Sequence, residues 1–134
     1  LQVQVTKANV FHYLRDKLSQ DVKYELIILD PPAFTKTKQK LQDAYRGYKE
    51  INLQAMHLIE HGGILISASC SQHMTPSLFF EMLQDAADDA GKIIQMMDFR
   101  IQSPDHPTLL SSEETLYLKL VVARVFDSRK EGSL

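Results

Sequence analysis

Leu26-Ile27-Ile28-Leu29-Asp30-Pro31-Pro32-Ala33-Phe34 is the stretch whose reading decides the fold. Its apolar residues fill both faces, which predicts a strand buried on both sides and paired in parallel. Two prolines cannot continue a ladder, so the strand breaks directly after Asp30 and leaves that carboxylate at the C-terminal edge of a sheet. Open α/β sheets bind their ligands at that edge. Further on, Gly62-Gly63-Ile64-Leu65-Ile66-Ser67-Ala68-Ser69-Cys70-Ser71 repeats the form, as a second apolar strand ending in the chain's single cysteine. An acid and a thiol are therefore expected to face one crevice.

Working outward, Leu1, Val3 and Val5 alternate with Gln2, Gln4 and Thr6, the period-2 pattern of a half-buried strand. Asn9 is a cap for a helix from Val10 to about Leu18. The strand at 24–29 follows, then the proline break and a Lys/Thr-rich loop to about residue 40. From Leu41 to Glu60 the residues Ile51, Leu53, Ala55, Met56, Leu58 and Ile59 form a helical stripe, with His61-Gly62-Gly63 as its stop. A strand at 64–69 comes next. Thr75 or Ser77 caps a helix with Pro76 near its start, a buried face of Leu78, Phe79, Met82, Leu83 and Ala86, and an end near Gly91. Residues 92–101 read as a strand, 102–114 as a long loop, Thr115 to Phe126 as a last strand and 127–131 as a frayed tail. The alternation of strands and helices predicts an α/β sheet, and the last two strands, joined without a helix, should pair antiparallel.

At 134 residues the chain is one domain at most, yet short for a complete two-halved nucleotide-binding fold. It also opens inside what reads as a strand, so the expectation is a portion of a longer domain. With 44% hydrophobic residues and a net charge of -2, the composition is that of an ordinary globular protein and argues for no particular partner. Charge is uneven, however. Lys36, Lys38, Lys40, Arg46 and Lys49 stand against Asp43 alone, either a solvated face or a patch for phosphates. One cysteine excludes an internal disulfide and is compatible with a reducing cytosol. No run of residues reaches membrane-spanning length. Gly47, Gly62, Gly63, Gly91 and Gly132 form no G-x-G-x-x-G after a strand, so no phosphate-cradling loop is visible.

Two constellations carry chemistry. In Asp30-Pro31-Pro32-x-Phe34 the prolines stiffen the loop, the acid can hydrogen-bond a heterocycle and Phe34 offers a stacking face; the plainer alternative is a strand-terminating turn. Cys70, flanked by Ser69 and Ser71 beyond a strand end and ahead of a helix, is placed to be an accessible thiol rather than a core one. His57 and His61 are spaced i, i+4, and Cys70-x-x-His73 has a ligand-like spacing, but neither finds a third ligand, so no metal is expected and His61 reads as a helix C-terminal charge. Asp105-His106-Pro107 reads as a turn.

Ile28 to Phe34, Tyr45-Arg46-Gly47-Tyr48-Lys49-Glu50-Ile51-Asn52, Gly62-Gly63-Ile64-Leu65, Ser69-Cys70-Ser71, Asp105-His106-Pro107 and Tyr117-Leu118-Lys119 together resemble one family. They are similar to the C-terminal part of the catalytic domain of class I S-adenosylmethionine-dependent methyltransferases that make 5-methylcytosine in large-subunit ribosomal RNA, in family order from about Asn9 to Phe126. The resemblance implies a partial Rossmann-like sheet holding the third to seventh strands, with helices on both faces; the first two strands and any RNA-binding domain would lie upstream of residues 1–134. It implies Cys70 as nucleophile at carbon 6 of the cytosine and Asp30 between methyl donor and base. Asn9, Asp30 and Pro31 would contact S-adenosylmethionine, Pro32 and Phe34 would hold the base, and Lys36, Lys38, Arg46 and Lys49 would hold RNA phosphates. It also implies a cytoplasmic enzyme.

Two positions depart from the family pattern. Asn9 stands where an acid commonly contacts the adenine, and Pro31-Pro32 occupies the place of a second cysteine that helps release product. Two other readings stay open: methylation of a base nitrogen, which needs no thiol, and a non-catalytic module that binds RNA or a partner chain. A truncated sheet would also expose an edge strand, inviting a homodimer.

Overall fold

Among the described residues, four strands and three helices follow in the order α1 (Val10–Ser19), β1 (Tyr24–Leu29), α2 (Leu41–Leu58), β2 (Ile59–Ser69), α3 (Pro76–Ala90), β3 (Lys92–Ile101) and β4 (Lys119–Asp127). This computed structural model describes residues 2–34, 40–102, 110 and 117–128. The strands form one sheet in the order β1-β2-β4-β3. β1 runs parallel to β2, while β4 is antiparallel to both β2 and β3, so the last two strands pair antiparallel as expected.

Local chemistry explains most of the boundaries. Asn9 Oδ1 accepts from the backbone N–H of Phe11 and His12 and starts α1. Thr75 Oγ1 accepts from Leu78 N–H, Pro76 occupies the first turn of α3, and Gly91 closes it in the left-handed region at φ 67°. All three helices feed one core. Leu14 of α1, Tyr48, Ile51, Ala55 and Met56 of α2 and Phe79, Met82 and Ala86 of α3 pack with Leu65 of β2 and Val121, Ala123 and Val125 of β4.

Five expectations change. Residues 2–9 form no strand, so the described sheet has four strands rather than five. Alternation at Val3 and Val5 fails because no neighbouring strand pairs with them, and both are exposed. β1 is parallel but not buried on both faces: it lies at the sheet edge, with Leu26 50% and Ile28 63% exposed while Leu29 enters the core. Helices on both faces are likewise not seen among the described residues. α2 ends at Leu58, and Ile59 to His61 already belong to β2. The last strand begins at Lys119 and runs to Asp127; residues 115 and 116, and most of the expected 102–114 loop with Asp105-His106-Pro107, lie outside the described residues.

Gly62-Gly63 is therefore not a helix stop. Tyr24 pairs with Ile59 but Leu26 with Ile64, so β2 advances five residues while β1 advances two. The extra residues form a bulge. Gly62 takes φ 83° there, and a Cβ on Gly63 would stand 2.6 Å from Ile59 Cγ2, 2.9 Å from the Glu25 carbonyl oxygen and 3.0 Å from that of Glu60. Two of those three atoms are backbone and cannot turn aside. Gly63→Ala is expected to lower the unfolding free energy by about 1–3 kcal/mol, read as a lower urea midpoint at unchanged slope; an unshifted midpoint would show that the β1–β2 join has room to spare.

Candidate functional site

The C-terminal ends of β1 and β2 lie side by side, since Leu29 pairs with Ser67. The next residue after Leu29 is Asp30, exposed, followed by buried Pro31 and exposed Pro32. Three residues past Ser67 comes Cys70, also exposed and free. The acid and the thiol thus leave the sheet at one edge, as the sequence predicts. Phe34 turns back onto α2: its ring meets Tyr48 edge-on at 4.6 Å between centroids, and lies 3.4 Å from where a Cβ on Gly47 would stand. Phe11 of α1 reaches the same ring at 6.2 Å. A Cβ at position 47 would thus just touch the Phe34 ring in ordinary van der Waals contact, so the ring lies flush against this turn of the helix.

Beneath this edge is a layer of buried polar groups. Ser67 Oγ donates to Asn52 Oδ1 at 2.7 Å, and Asn52 Nδ2 donates to the Tyr48 carbonyl at 2.8 Å, tying β2 to α2. Tyr48 itself is 0% exposed. Burial raises its phenol pKa, while Ser69 and the Phe34 backbone oppose the rise. Its hydroxyl and that of Ser71 are enclosed without a well-formed hydrogen bond among the described residues.

Lys119, which the sequence offers only as part of the Tyr117-Leu118-Lys119 motif, is the residue to which sequence reasoning gave no role. It opens β4 directly opposite Ser69, is 0% exposed, and its Nζ donates to the carbonyls of Ser71 at 2.7 Å and Tyr117 at 2.9 Å. The Ser71 carbonyl also accepts from Met74 N–H at 3.2 Å. The chain on either side of Cys70 is thus held from below: Ser69 by its pairing with Lys119, Ser71 by the ammonium. Burial lowers the lysine pKa to about 8, with the nearby Cys70 acting in the opposite sense. A lysine between Leu118 and Leu120 in an alternating strand reads as outward-facing, and nothing local in the sequence signals the carbonyls that receive it.

Other predicted residues are dispersed. Asn9 is occupied at Oδ1 by its capping bonds, leaving its amide N–H groups to donate elsewhere. Lys36 and Lys38 lie outside the described residues. Arg46 is exposed on α2, whereas Lys49 forms an ion pair with Asp89 of α3 at 2.6 Å, which raises the lysine pKa. His57 and His61 do not share a helix: His57 ends α2, where burial and then Lys92 and Lys23 lower its pKa, and His61 Nδ1 in β2 accepts from Asp127 N–H at 3.0 Å. The helix-terminal role expected for His61 is thereby replaced by a strand-to-strand bond. Among the described residues no three His, Cys, Asp or Glu side chains group as a metal site.

Solved structures share this fold. One described as a methyltransferase bound to SAH superposes with a TM-score of 0.74 over 87% of this chain and 30% of its own, at 21% identity. A methyltransferase homologue from Pyrococcus horikoshii gives 0.64 over 92% of this chain and 45% of its own, at 17% identity. The fold is that of class I methyltransferases. In sequence the chain is 44% identical over 124 residues to the ribosomal RNA large subunit methyltransferase I of Serratia proteamaculans, and the same holds for the enzyme of that name from Yersinia pestis. That match covers 92% of this chain and 31% of each relative, so the chain spans about a third of their length. No family model matches the chain.

Lys119 makes stability depend on pH. Unfolded, its ammonium keeps its proton to about 10.5; folded, to about 8. Between those values the unfolded state binds more protons, so raising the pH favours the fold, and below about pH 8 the term is constant. From about pH 8 to 10 the unfolding free energy is expected to rise by roughly 2 kcal/mol relative to a Lys119→Met variant followed over the same range. A difference between the two proteins that stays level across that range would mean the ammonium is not burdened by its burial.

Proposed function

We propose that this chain is the C-terminal part of the catalytic domain of a class I S-adenosylmethionine-dependent methyltransferase that makes 5-methylcytosine in large-subunit ribosomal RNA in the cytoplasm. The observation that carries the reading is the exposed Cys70 thiol at the same sheet edge as Asp30, in a chain 44% identical to ribosomal RNA large subunit methyltransferases. Among the described residues no helix is long and apolar enough to cross a membrane.

The residues at this edge fit the methyl donor in kind. Asp30 is a free acceptor beyond a strand end, Pro31 is buried beside it and Asn9 retains amide donors, a set suited to a ribose or adenine edge. S-Adenosylmethionine, when bound, supplies an electrophilic methyl group. Carbon 5 of cytosine is a weak nucleophile, and the Cys70 thiolate remedies this by adding to carbon 6, forming an S–C bond and moving electron density to carbon 5. Asp30 hydrogen-bonds the ring edge as that charge develops, and Phe34, steadied by Tyr48, packs against a base drawn out of its stack. Carbon 5 would then gain the methyl group as the donor's S–CH3 bond breaks, the donor leaving as its demethylated thioether, and loss of the carbon 5 proton to a base would let the cysteine sulfur leave, restoring the thiolate. Lys119 keeps the Cys70 segment at the crevice throughout. Nitrogen methylation would leave an exposed thiol at this position without a task.

Nucleoside mass spectrometry of ribosomal RNA tests the mechanism in cells lacking the full-length gene and in cells carrying it with Cys70→Ala. Loss of the same 5-methylcytosine in both is expected. Full methylation by the alanine form would overturn the covalent route, loss of a methylated purine would move the reaction to a base nitrogen, and no change would leave a binding module.

The exposed edge of β1, with Leu26 and Ile28 beside it, also supports self-association of the isolated chain. Sedimentation of this segment alone should give a mass that rises with concentration; a monomer throughout would remove the dimer from the proposal.

A further inference from the structure

The first turns of α2 and α3 leave an open cleft of about 360 Å³ between them, lined by Leu41, Gln42, Tyr45, Arg46 and Leu78. Two adjacent rows of α2 build one wall, Leu41 with Tyr45 and Gln42 with Arg46, each four residues apart. Leu78 of α3 builds the other. Tyr45 is anchored because its hydroxyl donates to Asp85, and burial and this bond raise its pKa; Glu81 adds negative charge on the same side. The ring is therefore a fixed aromatic surface rather than a mobile one. Arg46 is exposed and enters none of the ion pairs among the described residues, in contrast to Lys49 one turn on.

The cleft lies next to the proposed crevice for topological reasons. α2 receives the chain that leaves β1 at Asp30, and α3 receives the chain that leaves β2 at Cys70. Phe34 packs on Gly47, the neighbour of Arg46. We infer that this cleft is a subsite for a second nucleotide of the RNA strand, one adjoining the target base. Its base lies against Tyr45 with Leu41 and Leu78, Gln42 reads a base edge and Arg46 holds the phosphate. The match is in size and in kind: a small pocket, apolar and aromatic walls, one amide, one uncommitted guanidinium, and no acid among its lining residues. The inference rests on the proposed RNA substrate.

Full-length protein and a fluorescein-labelled ten-nucleotide single-stranded RNA test it by anisotropy. Gln42 is exposed, and an acid at Leu78, in the first turn of α3, suits the helix N-terminus, so Gln42→Ala and Leu78→Asp should both fold. Each is expected to weaken RNA binding about 5- to 30-fold, and Arg46→Gln should in addition lower the slope of log K against log salt by about one. Native affinity in both Gln42→Ala and Leu78→Asp, even with Arg46→Gln weakened, would overturn the subsite, because it would leave a bare phosphate contact. The two proposals fail separately. RNA binding that shows these losses in a protein that methylates no cytosine keeps the subsite and removes the reaction, whereas full methylation with unaltered RNA affinity in both variants removes the subsite alone.

Discussion

An ammonium cut off from water can persist only where oxygen atoms face it, and Lys119 meets that condition through two backbone carbonyls. Those contacts bind the start of β4 to the chain beyond β2 at the point where Cys70 leaves the sheet. Leu120 to Val125 then pair with β2 back to Gly63, placing β2 between β1 and β4. The Asn52–Ser67 bond fixes α2 over the same strand. A buried charge is a costly way to hold two strand ends, since an apolar side chain of similar size would avoid the desolvation. Its presence next to the one exposed thiol links the cost to the site rather than to the core.

Wherever a local chemical rule governs, the sequence discloses the structure. Two prolines after Asp30 end β1, Asn9 and Thr75 with Pro76 start helices, and Gly91 ends one, because each rule acts within a few residues. The common edge of the candidate site was legible to the same degree: Asp30 and Cys70 share it because both follow a strand end. What escaped depends on partners distant in the chain. Ile59 continues the apolar stripe of α2 and suits β2 equally well, so periodicity cannot divide them. The role of Gly62-Gly63 is set by the Glu25 carbonyl of another strand. Leu26 and Ile28, two residues apart on one face of β1, are exposed because no described element covers that face, which no pattern within the strand encodes, and Val3 and Val5 alternate without a described strand to pair with.

Charge at the site is likewise settled by neighbours. From the sequence, Arg46 and Lys49 are two equivalent members of a basic segment. In the fold they diverge, because Lys49 faces α3 and its Asp89 whereas Arg46 faces outward over the cleft. An ion pair on a partly exposed seam contributes little to stability, but it removes one cation from those open to a phosphate. The basic patch is thus narrower, among the described residues, than a count of lysines and arginines suggests.

The bulge at Gly62-Gly63 and the edge at Asp30 and Cys70 occupy opposite ends of the β1–β2 pair, and that separation matters mechanically. Side chains in a strand alternate between faces, so a slip of one residue would turn Leu29 out of the core and shift Asp30 along the edge relative to Cys70. The mismatch between β1 and β2 is taken up entirely between Tyr24 and Leu26, after which Leu26 to Leu29 pair without a break against Ile64 to Ser67. Irregularity is absorbed where two glycines tolerate it, and the four regular pairs carry an undistorted register to the end where Asp30 and Cys70 leave the sheet.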